Sequence, residues 1–276
     1  MLIEPEREGG LRAAVSVVVP AWQARGTLLR TLRSVEASVA GHLDASGADA
    51  ESCVIVVVDD GSSDGTLDAA AVFGLGSFLP VLALRNALNR DVSFTRNRGV
   101  AAVAADTVFH LDADDEFLPA HVGDCLRALA GDPAAGFVKT GIELPAPVHP
   151  DWVARIENSL TSNLCLRRRC HELIGGFHEG PAFRKLHCED ALYCDLLLRF
   201  FNGIHLAAAT CRHHRSPGNA FDRQYPKLIL PPEQAPDLLR PAERLALPEV
   251  ERAHAARVAE VSARLDALRR GATSSA

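Results

Sequence analysis

The sequence predicts an α/β fold: a mostly parallel sheet flanked by helices, followed by a smaller second region and a C-terminal helical segment. Two observations support this prediction. Between Val15 and Leu111, apolar runs of strand length alternate with stretches whose apolar residues recur at helical spacing. With 276 residues and 47% apolar content, the chain is also long enough to bury a sizeable core.

Each element of the first half has its own pattern. The strands are continuous apolar runs, and the first helix places Leu28, Leu32 and Val35 on one face. The predicted strands are 16–20, 53–58, 81–84 and 107–111, and the predicted helices are 27–39, 65–73, 93–104 and one that begins at Pro119. The polar and small residues of 41–52 predict a linker.

The alternation weakens after Asp132, which predicts a different surface in the second half. A strand is predicted over 136–140, and a helix from about 248 to 270 with a frayed end over 271–276. The apolar face of 250–268 can pair with a second copy or fold back on its own domain.

Composition excludes several classes of protein. The formal net charge is -6 and the basic residues are scattered, so we expect no nucleic-acid partner. Seven cysteines without paired spacing predict reduced thiols, not a disulfide framework or a zinc site. Without a signal peptide or an apolar run of membrane-spanning length, we expect a cytoplasmic protein, with peripheral membrane contact left open.

Three turns with chemically functional side chains follow three of the four predicted strands, in strand order. They are Pro20-Ala21-Trp22, Asp59-Asp60-Gly61-Ser62 and Asp112-Ala113-Asp114-Asp115. Because ligands of open α/β sheets bind outside the carboxyl ends of the strands, we expect the turns to converge on one cleft. The third turn offers carboxylates, the ligands that hard divalent cations prefer. Taken singly, each turn is also explained as a strand end or a helix cap.

Two further segments carry candidate functional side chains. Glu189-Asp190 precedes the apolar-periodic segment 191–200, where the pair either caps a helix or supplies a base facing the cleft. The segment 211–219 contains His213, His214 and Arg215, which form either a solvated loop or a flexible segment that closes on a diphosphate. Local sequence leaves both alternatives open in each case.

In combination, these motifs resemble those of the family 2 inverting glycosyltransferases, which have the GT-A fold. The resemblance is carried by Ser16-Val17-Val18-Val19-Pro20-Ala21, Val57-Val58-Asp59-Asp60-Gly61-Ser62-Ser63-Asp64-Gly65-Thr66, Arg96-Asn97-Arg98-Gly99, Leu111-Asp112-Ala113-Asp114-Asp115 and Cys188-Glu189-Asp190. It implies a GT-A domain over 14–220, with a nucleotide-sugar-binding half over 14–132 and an acceptor half over 133–220. An N-terminal tail over 1–13 and a C-terminal helical extension over 221–276 would flank this domain.

The resemblance assigns roles on the donor side. Pro20 and Ala21 would line the nucleoside pocket, and Asp60 would accept a hydrogen bond from a uracil-like base, which favours a UDP-sugar. Trp22 lies in the same turn, where it either stacks on the base or packs under the loop. Arg96 would approach the nucleotide-sugar.

The resemblance also assigns a metal site and a base. Asp112 and Asp114 would hold Mn²⁺ or Mg²⁺, with Asp115 as a supporting neighbour. His214 or Arg215 would supply a third metal ligand or a cation for the diphosphate. Asp190 would be the base that deprotonates the acceptor, with Glu189 beside it.

The predicted function is therefore a metal-dependent, inverting transfer of a sugar from a nucleotide-diphospho-sugar to an acceptor hydroxyl or similar nucleophile. The acceptor can be a saccharide, a lipid-linked molecule, a peptide or a small molecule. One alternative is a catalytically silent nucleotide-sugar-binding module, against which the retained acids argue. Another is a sugar-phosphate nucleotidyltransferase, whose Gly-rich basic loop is absent after Val19. No G-x-G-x-x-G follows Val19 either, which disfavours a hydride-transferring enzyme.

Overall fold

The computed structural model describes residues 2–3, 11–47, 49–145, 148–214 and 240–273, which form one sheet covered by helices. The strands are β1 (Leu2–Ile3), β2 (Leu11–Ala21), β3 (Cys53–Asp59), β4 (Val81–Arg85), β5 (Val103–His110), β6 (Glu116–Phe117), β7 (Ala135–Glu143), β8 (Leu164–Arg167) and β9 (Asn202–Arg212). The helices are α1 (Leu28–Ser46), α2 (Thr66–Gly76), α3 (Val92–Ala102), α4 (His121–Gly131), α5 (Pro150–Ser159), α6 (Arg168–Ile174), α7 (Pro181–Leu186), α8 (Glu189–Phe200) and α9 (Pro241–Thr273).

The sheet order is β1-β4-β3-β2-β5-β8-β7-β9-β6. The first five strands in that order are parallel, β8 runs antiparallel between β5 and β7, and β9 is parallel to β7. This arrangement confirms the predicted α/β fold with a mostly parallel sheet. Because β2, β3, β4 and β5 are parallel, their carboxyl ends lie at one edge of the sheet, where the predicted cleft should be.

Two apolar layers bury the sheet. One face packs against α1 and α4, and the other against α3, α6 and α8. Every residue of β3 is buried, which explains why its sequence is a continuous apolar run rather than an alternating one. All seven cysteines are free, and six of them are buried.

Several predicted boundaries need correction. Helix α1 continues to Ser46 through the predicted linker, because Leu43 packs against the core and Gly47, with a φ of 67°, supplies the left-handed residue that ends the helix. The helix predicted over 93–104 is too long, since Val103 already pairs with β2 as the start of β5. Within the predicted tail, Leu2–Ile3 forms an edge strand on β4.

Helix α9 folds back on its own chain. It begins at Pro241, before the predicted start at 248, and contains Pro248 in its interior. Burial of Ala246 and Val250 against α7 outweighs the hydrogen bond that a proline removes. Val261 is fully buried against α6 and α8. Among the described helices, none is long and apolar enough to cross a membrane.

Candidate functional site

The first two predicted turns lie side by side at the carboxyl edge of the sheet. The backbone N–H of Gln23 donates to Ser62 Oγ at 2.8 Å, and that of Ala24 donates to Thr66 Oγ1 at 2.9 Å. Ala21 is buried at the end of β2, whereas Trp22 is 61% exposed. The indole therefore does not pack under the loop and is open to a ligand.

Asp60 is buried, and its carboxylate holds the loop between β4 and α3. Oδ1 accepts hydrogen bonds from Asn86 Nδ2 at 2.7 Å and from the N–H of Arg90 at 2.8 Å, and Oδ2 accepts from the N–H of Asp91 at 2.9 Å. A carboxylate has about four acceptor sites, so these three bonds leave one for a ligand. Asp60 thus holds a loop, a role that the sequence did not predict.

The structure brings the acidic turn and the Glu-Asp pair together on one guanidinium. Arg96 lies on α3 and is only 2% exposed. Its Nη2 donates to Asp112 Oδ1 at 2.6 Å, and its Nη1 donates to Asp190 Oδ1. The carboxylates of Asp112 and Asp190 are both partly exposed. The buried guanidinium of Arg96 therefore joins the turn after β5, helix α3 and helix α8.

Burial also changes the proton affinity of the Glu-Asp pair. Desolvation raises the pKa of Asp190, while the neighbouring Arg96 guanidinium opposes the rise. Desolvation and then the charge of Asp190 raise the pKa of Glu189 to about 7. A carboxylate with a raised pKa is a stronger base than one at the surface, which suits this pair to proton transfer.

A polar turn before β8, residues 161–163, donates hydrogen bonds to the carboxylates of Asp190 and Asp115. Thr161 Oγ1 donates to Asp190 Oδ2 at 3.5 Å, and Ser162 Oγ donates to Asp115 Oδ2 at 2.9 Å. Ser162 Oγ also accepts from the N–H of Asp112 at 3.3 Å. Sequence reasoning did not identify Thr161 or Ser162, because short polar residues before a strand are common in ordinary turns.

Of the two histidines after β9, His213 faces the acidic turn. Its Nδ1 lies 3.0 Å from Oδ1 of Asp115, which is fully buried and also accepts from the N–H of His214 at 3.0 Å. Although burial lowers the pKa of His213, the Asp115 carboxylate raises it overall. Asp115 thus tethers the end of β9 to the site, as a supporting neighbour.

The predicted metal ligands Asp112, Asp114 and His214 do not form a cluster. His214 Nε2 hydrogen-bonds to Glu116 Oε1 at 2.5 Å, so this nitrogen is not available to a metal in the observed arrangement. Within the described ranges, no group of three His, Cys, Asp or Glu side chains could hold a metal ion. Asp112 and Asp114 are both half-buried in the turn that follows β5, and Arg215 lies outside the described residues.

Comparison with known proteins identifies a family. A sequence model described as Glycosyl transferase family 2 matches residues 16–185. Comparison with curated protein sequences gives no match.

Two solved structures have a similar fold. Residues 1–349 of TarS from S. aureus, in complex with UDP-GlcNAc, match with a TM-score of 0.61 and 18% sequence identity, over 75% of this chain and 60% of that one. The mannosyltransferase PcManGT from Pyrobaculum calidifontis, in complex with GDP-Man and Mn²⁺, matches with a TM-score of 0.59 and 16% identity, over 95% of this chain and 76% of that one. The chain thus spans about 60% of the length of the TarS fragment. These similarities confirm the GT-A fold.

Proposed function

This chain belongs to glycosyltransferase family 2, and from that premise we propose that it transfers a sugar from a nucleotide-diphospho-sugar to an acceptor nucleophile with inversion at the anomeric carbon. Asp190 is the base of this reaction. Asp112 and Asp114 would hold a divalent cation, which would supply positive charge to the leaving diphosphate. Pro20, Ala21, Trp22 and Asp60 form the nucleoside side of the cleft.

The observation that carries this proposal is the bridge that Arg96 makes between Asp112 and Asp190. Inverting transfer needs a base on one side of the anomeric carbon and stabilisation of a leaving diphosphate on the other side. The two carboxylates come from different parts of the fold, the turn after β5 and helix α8, and each contacts a different nitrogen of the Arg96 guanidinium while staying partly exposed. A module that only binds the nucleotide would not require a desolvated acid at the position of Asp190.

The chemical step follows from these positions. An oxygen of the acceptor attacks the anomeric carbon as the bond from that carbon to the diphosphate breaks, and the electron pair leaves on the diphosphate. Asp190 takes the acceptor proton. Desolvation raises its pKa, which favours uptake of the proton, while the Arg96 guanidinium opposes that rise. Thr161 orients its second oxygen.

The residues at the rim fit a hard divalent cation. Asp112 and Asp114 offer carboxylate oxygens, and both are partly accessible. Two carboxylates suit Mg²⁺ or Mn²⁺ that takes its remaining ligands from water and substrate phosphates. When bound, such a cation would neutralise the charge that develops on the leaving diphosphate.

The donor proposal favours a UDP-sugar. Asp60 keeps one acceptor site for the N–H of a uracil-like base, and exposed Trp22 offers a ring for stacking. TarS was solved with UDP-GlcNAc and PcManGT with GDP-Man, so both donors are worth testing. The acceptor remains open among saccharides, lipid-linked molecules, peptides and small molecules.

The test is donor hydrolysis, in which water replaces the acceptor. The full chain is incubated with UDP-GlcNAc or GDP-Man, with Mn²⁺ or with EDTA, and release of nucleoside diphosphate and the anomer of the free sugar are measured. We expect metal-dependent release of UDP with inversion. Nucleotide binding without release from any donor would favour the silent module, and retention of the anomeric configuration would contradict Asp190 as a simple base.

A further inference from the structure

Helix α9 takes no part in the proposed chemistry, yet it hydrogen-bonds to a turn behind the site, residues 174–179, here named the brace turn. Arg257 Nη1 donates to the carbonyls of Ile174 and Gly175, at 3.0 Å each. Gly175 has a φ of 78°, and a Cβ there would lie 2.8 Å from Arg257 Nη1. The guanidinium therefore fits closely against the turn.

A chain of imidazoles makes a second connection from α9. His254 Nδ1 lies 3.1 Å from Nε2 of His178, in the brace turn, and His254 Nε2 lies 2.9 Å from Asp195 Oδ2, on α8. The ring of His178 is buried and stacks on Phe183, with centroids 4.6 Å apart. One α9 residue thus links the brace turn with the helix that carries Asp190.

The brace turn in turn holds Arg96. Asn97, next to Arg96, receives a hydrogen bond from the N–H of Phe177 at 2.9 Å and donates to its carbonyl at 3.0 Å. The Phe177 ring lies 5.1 Å from Arg96 Cζ, in the geometry of a cation–π contact. The same ring stacks on Tyr193 of α8, with centroids 3.8 Å apart and an angle of 6°.

From these contacts we propose that α9 is a positioning element of the active site: Arg257 and His254 hold the brace turn, which through Phe177 fixes Arg96 and α8 and thereby aims Asp190. The inference rests on the proposed role of Asp190. Its physical basis is that a misplacement of about 1 Å at a reacting group can reduce a rate by roughly a hundredfold, even when the cause lies far from the chemistry.

The test compares Arg257→Met with Arg269→Met. Arg269 lies on the exposed end of α9 and pairs with Asp266 of the same helix, so its loss controls for removal of an arginine from α9. Arg257→Lys tests rescue, because an ammonium can still donate to the two carbonyls. Three quantities are measured in the full chain: kcat for hydrolysis of UDP-GlcNAc or GDP-Man, the Kd for UDP, and hydrogen exchange of peptides spanning 96–100, 174–179 and 189–193.

We expect Arg257→Met to lower kcat about tenfold with an unchanged Kd for UDP, and Arg257→Lys to restore most of it. Faster exchange should extend from the brace turn to 96–100 and 189–193, whereas Arg269→Met should resemble wild type. Faster exchange confined to 174–179, with kcat unchanged, would overturn the inference and leave α9 a structural support.

Two further measurements distinguish a folding defect, or an inactive wild type, from a failure of the positioning role. If Arg257→Met fails to fold, His254→Ala removes the second connection and is judged by the same criteria. If the wild-type chain hydrolyses neither donor, the proposed function fails, but exchange at 96–100 and 189–193 still decides whether α9 positions those segments.

Discussion

At the residue scale, the buried guanidinium of Arg96 supplies a positive charge that the neighbouring carboxylates balance. A guanidinium stays protonated even when buried, so its desolvation must be offset by anions. Asp112 and Asp190 provide that charge, although Arg96 Nε finds no hydrogen-bond partner in the described part of the chain. The two acids therefore stabilise the buried guanidinium in addition to the chemical roles proposed for them, and a substitution at either one affects both stability and the proposed chemistry.

Asp190→Asn separates binding from chemistry. The amide keeps the shape of the side chain but cannot take a proton, so the hydrolysis rate should fall by roughly 10²–10⁴-fold while UDP affinity stays near wild type. The melting temperature should also fall, because Arg96 loses one of its two anionic partners. Rates and affinity are therefore measured well below the melting temperature of the variant.

Asp112→Asn is the matched control, since it removes the other anion from Arg96. Its stability should fall similarly, but Mn²⁺-dependent nucleotide binding should weaken as well. Near-normal turnover of Asp190→Asn would move the assignment of the base to Glu189, whose pKa of about 7 makes it the next candidate.

Asp114→Ala tests the metal assignment without disturbing Arg96. We expect the variant to lose the thermal stabilisation that UDP plus Mn²⁺ gives the wild type, because binding to the native state alone raises stability. Its melting temperature without ligand should change little, since Asp114 is half-buried at the rim and lies outside the apolar layers. Asp151→Ala, at a largely exposed carboxylate on α5, serves as control. Undiminished stabilisation by UDP plus Mn²⁺ would remove Asp114 from the site.

At the scale of elements, two short turns connect side chains of the site with the helices around them. The 161–163 turn ties Asp115 and Asp190 together, and the brace turn fits between α3, α8 and α9. Gly176 makes the second arrangement sterically possible. It has a φ of 70°, and a Cβ at this position would lie 2.6 Å from Asn97 Oδ1.

Gly176→Ala should destabilise the protein more than a glycine replacement that strains the backbone alone. A residue with a side chain loses about 1 kcal/mol of stability when it adopts a left-handed φ. At position 176 the new Cβ would also displace Asn97, which would then lose its hydrogen bonds to Phe177. Gly47→Ala is the control, because Gly47 has a φ of 67° with nothing within 4 Å of a built Cβ. Equal losses in urea unfolding for the two variants would show that the Asn97 contact contributes little.

At the scale of the whole molecule, the doubly covered sheet buries several histidines in their neutral form. Burial lowers the pKa of His121 to about 3 and that of His171 to about 4, and it lowers the pKa of His110 well below its ordinary value. All three accept protons readily in an unfolded chain, where the ordinary value is 6.5. The folded state therefore binds fewer protons than the unfolded state below that pH.

Acid should thus destabilise the fold in a defined window. The contribution of His121 is fully present above pH 6.5 and is lost as the pH falls towards about 3, with a slope of about 1.4 kcal/mol per pH unit. Urea unfolding of wild type and His121→Gln at pH 7.5, 6 and 5 measures this slope, and the difference between the two proteins cancels other titrating groups. Parallel pH profiles for the two proteins would contradict the depressed pKa of His121.

The sequence by itself determined the order of β2 to β5 and α1 to α4, and it placed Asp60, Asp112 and Asp114 after strand ends. These features depend on neighbouring residues: a run of apolar side chains predicts a buried strand, and a helical period predicts a covered face. The same local rules failed at the C-terminal end of α1 and at the start of α9. There, Leu43, Ala246 and Val250 pack against distant elements, which extends a helix beyond its local signal.

Only the tertiary structure decided which side chains meet. It joined Asp112 and Asp190 through Arg96, it selected His213 rather than His214 to face Asp115, and it placed α9 behind the brace turn. Each of these contacts joins residues far apart in the chain, and its geometry depends on how helices pack on the sheet. Periodicity states which face of an element is buried, but it does not encode the partner across the interface, because that partner is set by the packing of the whole fold.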